Sequence, residues 1–193
     1  NGAVKEGAWR RADIKLAAGE VEEGVALAKA HASSNPGEPG AASILGLALW
    51  ASGDRAGALR EFVRAKELRP DHNEFTALLT WTLRSLESGR DEADAELRSA
   101  LAGKWDSDSA WIQLVGSYLL GDATAEELEE AHDEKQWLAR GHRYEMEFYG
   151  AMKHLVEGDQ VKARAGLQRC IDSNIWWFVE NHIARAEHKR LAD

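Results

Sequence analysis

Apolar and small side chains recur along this chain at spacings of three and four residues, the period of a helix with one face turned inward. The clearest stripe reads Ala42-x2-Leu45-Gly46-x2-Leu49. A second, Ala58-x3-Phe62-x2-Ala65, runs up to Pro70, which stops a helix and starts a turn. The stretches that carry these stripes are rich in Ala, Leu, Glu and Arg, all strong helix formers. Period-two alternation of β-branched and aromatic residues does not occur, so strands are not expected.

The same pattern returns at a fixed period. Pro36 and Pro70 stand 34 residues apart, as do the pairs Gly19-Glu20 and Gly53-Asp54. Units are placed at 5–36, 39–70, 73–105, 109–139 and 144–172. The first gives Gly24-x3-Ala28-x2-His31 before Pro36. The third gives Leu79 and Leu83, then Ala93-x3-Leu97-x2-Ala100, with one extra residue ahead of its second helix. The fourth gives Ile112-x2-Val115-Gly116-x2-Leu119, followed by Thr124-x-x-Glu127, a capping box. The fifth ends in Ala163-x3-Leu167-x2-Cys170. Beyond Ser173-Asn174, a terminal helix over 175–191 is expected to cover the exposed end of the stack with Trp176, Trp177, Phe178, Ile183 and Leu191. No Gly/Ser linker or charge block intervenes, so 1–193 reads as one domain.

The 34-residue period, the large–Leu–Gly first helix and the Ala–Phe–Ala–Pro second helix resemble the tetratricopeptide repeat family. The resemblance covers nearly the whole chain and is most complete in the second unit. It implies an all-α fold: a helix-turn-helix solenoid, a right-handed superhelix of antiparallel helix pairs, closed by a C-terminal capping helix. Gly46 and Ala58 would then sit where paired helices cross, and Phe62 would fill the gap between hairpins. Gly46→Leu should overpack that crossing and cost roughly 1–3 kcal/mol, read as a lower thermal midpoint. Tyr149-Gly150, Gly158-Asp159, Ala163 to Cys170, and Phe178-Val179-Glu180 resemble the C-terminal part of NlpI-type bacterial envelope lipoproteins, which are non-enzymatic adaptors. The lipid-attachment cysteine expected at such a protein's N-terminus is missing. That likeness would place the chain in the periplasm or cell envelope; without it, a cytoplasmic location is expected.

The resemblance also implies a concave groove lined by first helices. Its positions would present Trp9, Asp13, Leu47, Trp50, Trp81, Arg84, Gln113, Ser117, Phe148 and Met152 to a peptide or helix of a partner protein. Aromatic and Met side chains supply large contact area from few residues. Trp residues in short hairpins also pack between neighbours, and the chain has 8 of them. The Lys and Asn of the chaperone-tail clamp are absent from the corresponding fifth and ninth positions, which argues against that ligand.

A net charge of −9 disfavours nucleic acid and anionic membrane surfaces. No apolar stretch approaches the length of a membrane span, and the first residues do not resemble a signal peptide. The lone Cys170 excludes a disulfide framework, and its repeat position argues for burial over nucleophilic chemistry. His142, Glu145, Glu147 and His154 share one helical stretch, but without a His-Glu-x-x-His pattern. His182 and His188, six residues apart, fall on different helix faces. Phosphate loops and nucleophile elbows are absent. The acidic run from Glu126 to Glu134 reads as a solvated helix face suited to the helix dipole. The expectation is a non-enzymatic protein-binding scaffold with no cofactor. The alternatives are a self-associating module, through the Trp176-Trp177 end or an open first helix, or a docking region of a larger regulator.

Overall fold

The computed structural model describes residues 2–69, 74–103, 110–132, 139–175 and 178–192, with the side chains of all of these except 2–6, 8 and 74. Pro70, Trp176 and Trp177, to which the sequence gives structural roles, lie outside the described residues. The described residues form an all-helical protein of eleven helices and no strands. These are α1 (Gly2–Ala17), α2 (Val21–Ser34), α3 (Pro39–Ser52), α4 (Arg55–Leu68), α5 (Glu74–Glu87), α6 (Arg90–Leu101), α7 (Ala110–Leu120), α8 (Ala125–Ala131), α9 (Ala139–Val156), α10 (Gln160–Asp172) and α11 (Glu180–Arg190).

The first ten fold back on each other in successive pairs, each odd helix packed on the even helix that follows. The turn at Gly53-Asp54 shows why. Gly53 adopts φ 96°, a left-handed conformation open to glycine at no steric cost, and the Asp54 carboxylate accepts a hydrogen bond from the Gly57 N–H at 2.7 Å. Gly158 and Asp159 repeat the device, with φ 83° and a bond from the Lys162 N–H at 3.1 Å. The Thr124 capping box is formed in both directions: Thr124 Oγ1 accepts from the Glu127 N–H at 3.2 Å, and Glu127 Oε2 accepts from the Thr124 N–H at 2.7 Å.

Small residues decide how closely the pairs approach. A Cβ added to Gly46 would lie 2.7 Å from the Phe62 ring, so the α3–α4 crossing has no space for a side chain there. Ala58, Phe62 and Ala65 are all buried. Buried apolar side chains form one cluster from Ala12 in α1 to Ala184 in α11.

Odd helices also meet one another: α1 packs on α3, α7 on α5 and α9, and α5 on α9. They make an inner layer, and α11 lies against it. The expected role of the terminal helix needs correction here. Among the described residues it spans Glu180–Arg190, and it does more than cover the end of the stack: it packs on α10, then against α3 and α1. The chain's last helix thus touches its first.

Candidate functional site

Half of the ten side chains expected along an open groove (Leu47, Trp50, Trp81, Phe148 and Met152) are buried, and the other five are partly exposed. Trp50 is fully buried beneath α11, and its indole N–H donates to Glu187 Oε1 at 2.6 Å across 137 residues of sequence. Arg55 donates to the same carboxylate through Nε at 3.1 Å and Nη2 at 2.6 Å, and Arg190 through Nη1 at 2.5 Å. Burial would raise the pKa of Glu187. Its bonds to Arg55, Arg190 and Trp50 outweigh that and hold it below the usual carboxylate range.

Trp81 is buried too. Its indole N–H donates to Asp94 Oδ1 at 2.7 Å, and the Arg90 guanidinium sits 5.7 Å from its ring centroid. Phe148 and Met152 are fully buried in α9. Arg84 is half-buried and engaged by Glu92 and Glu96 of α6 at 2.9 and 2.7 Å. Ser117 donates to the Gln113 carbonyl within α7, and both are half-buried. Trp50, Trp81, Phe148 and Met152 thus have no face open to a peptide, whereas Arg84, Gln113 and Ser117 stay partly exposed.

The first turn of α11 holds a second buried carboxylate in different company. Glu180 accepts a hydrogen bond from the Tyr149 hydroxyl at 3.3 Å, and Glu145 of α9 accepts one from the Trp111 indole at 2.5 Å. Burial, reinforced by the charge of Glu180, pushes Glu145 up to about 8, and burial also raises Glu180. His142, considered above as a metal ligand, stacks on Trp111 with ring centroids 4.1 Å apart. The described residues contain no cluster of three or more His, Cys, Asp or Glu side chains able to hold a metal. Cys170 is buried, and burial pushes its thiol up, away from the reactive thiolate.

A cleft of about 490 Å³ lies open between α1, α3 and α5, bounded on one side by Val179 and His182 at the start of α11. That size falls within the range of ligand-binding clefts. Its wall is apolar: Leu16, Leu47, Phe62 and Leu79 are buried there, with Ile44 and Trp9 half-buried beside them. Two large apolar side chains stand exposed at its mouth, Phe75 at 42% and Val179 at 37%. The polar lining is sparse: Asp13, His31, Glu38, Ser43, Thr76 and His182.

The expected groove residues therefore separate. Trp9, Asp13 and Leu47 come together on this cleft, while the other seven do not reach it. His182 was missed as a site residue. Its Nε2 lies 2.7 Å from Asp13 Oδ1 while its buried Nδ1 has no partner among the described residues, and a pairing across 169 residues leaves no local signal. Phe75 and Val179 were missed because only their exposure distinguishes them.

A second depression of about 370 Å³ is lined by Arg140, Arg143 and Arg169, of which Arg143 pairs with Glu129 and Arg169 with Glu147. No described helix is long and apolar enough to cross a membrane. No protein-family model matches the chain, and comparison with curated proteins finds no match.

Proposed function

We propose that this chain is a tetratricopeptide-type scaffold that holds a segment of a partner protein in the cleft between α1, α3 and α5, without catalytic chemistry. The observation that carries this reading is the mouth of the cleft. An apolar wall opens to solvent beside exposed Phe75 and Val179, which offers an inserted apolar side chain contact area on several sides. The repeated helix pairs, with small residues at their crossings, support the family reading.

The segment held there is short. Since α11 lies against α3 and α1, a ligand running the length of the inner face would collide with it. One or two apolar anchors inserted beside Trp9 and Leu47 suit the space.

The test uses Phe75→Glu, at an exposed position whose change leaves the core intact. Immobilised wild-type protein should recover a partner that the variant loses, with at least about a tenfold drop in affinity and an unchanged thermal midpoint. Full retention of the partner by the variant would remove the cleft from consideration.

A further inference from the structure

The ionisable side chains that line the cleft bear on what it can hold. Among the described residues its ionisable lining consists of two carboxylates, Asp13 and Glu38, and two histidines, His31 and His182, with no Lys or Arg. We propose, building on the cleft as the binding site, that it accepts a segment in which an apolar side chain is followed or preceded by a positive charge, a Lys, an Arg or a free N-terminal amine. The apolar group enters the wall of Ile44, Leu47 and Leu79, and the cation meets Asp13 and Glu38.

The two carboxylates are prepared differently. Asp13 is held from below: His182, almost wholly buried, fixes Oδ1 at 2.7 Å, and the Asp13 side chain remains 25% exposed. Its other oxygen, Oδ2, has no bond among the described residues, so an oriented acceptor is left over. Glu38 precedes α3, and its backbone carbonyl accepts from the Ala41 and Ala42 N–H groups at 3.1 and 3.3 Å. Its side chain makes no capping bond, pairs with no cation among the described residues, and is exposed. Arg10 sits 5.5 Å from the Trp9 ring centroid but does not line the cleft.

Charge complementarity also weighs against other occupants. A second copy of this chain brings a net charge of −9 to an acidic mouth, and a nucleic acid brings phosphates to a lining without a cation.

The experiment selects binders from a displayed library of short random peptides on the wild-type protein, with Phe75→Glu as the counter-screen. Selected peptides should carry Lys or Arg near an apolar anchor far more often than Asp or Glu. Glu38→Gln should then weaken a selected peptide by roughly fivefold at unchanged thermal midpoint, and replacing the peptide's cation with Gln should abolish that difference. Peptides that need Phe75 but have neutral or acidic flanks, or whose binding ignores Glu38, overturn the charge inference and leave the cleft standing. If every binder is indifferent to Phe75→Glu, or none emerges, the cleft reading itself fails. A dimer in sedimentation that Phe75→Glu dissolves would assign the cleft to a second copy and overturn both.

Discussion

The two ends of α11 each bury a carboxylate against the inner layer, and they do it in opposite ways. At the C-terminal end, Glu187 meets two guanidinium groups and an indole N–H, and its pKa is held low. At the N-terminal end, Glu180 accepts from the Tyr149 hydroxyl and pairs with no Lys or Arg among the described residues; burial pushes it up, and its charge adds to the burial that raises Glu145. The difference shows that burial alone does not set the state of an acid; the partners do. One end of the helix is locked by charge, and the other packs among acids whose pKa values burial raises.

The largest effect expected from breaking this contrast is at Glu187. Glu187→Gln removes the charge that Arg55 and Arg190 enclose and should cost about 3 kcal/mol in urea unfolding. Glu187 also sets an acid limit. With its folded pKa below the unfolded value, its contribution is present above the ordinary carboxylate range and is lost as pH falls through the folded pKa.

Glu145 runs the other way. Its folded pKa of about 8 exceeds the ordinary 4.5, so its contribution is complete below 4.5 and is lost as pH rises through about 8. Stability should therefore decline across that window, and Glu145→Gln should flatten the decline. A wild-type profile equally flat there would dismiss the protonated-acid description. Trp111→Phe is the mildest probe. It deletes the indole donor to Glu145, should cost about 1 kcal/mol, and should move the alkaline loss to higher pH.

Much of the fold was legible because it is written locally. The Thr124 capping box lies within one turn, and the Gly-Asp turns lie within two residues. The burial of Ala58, Phe62 and Cys170 follows from spacing along single helices. The cover over the inner helices was not legible. Repeat position says which face of α3 carries Trp50, but only the return of α11 decides whether solvent reaches it. Trp81 is covered by its own neighbour α6 through Asp94, a contact that a stripe pattern does not encode. Alanine at either Trp would thus report on the core, at about 3–5 kcal/mol, before it reported on binding. Of the site, Trp9, Asp13 and Leu47 came from position, whereas His182, Phe75 and Val179 needed three dimensions.

Packing of α11 on α3 and α1 closes the inner face there and confines recognition to the cleft beside Trp9. Hydrogen exchange resolved along the chain tests that directly. Amides from Ile183 to Glu187 should exchange as slowly as those from Leu45 to Trp50 in α3, since the two segments share one buried contact. Rapid exchange in α11 beside a protected α3 would contradict this, opening the inner face and returning Trp50 to the binding surface.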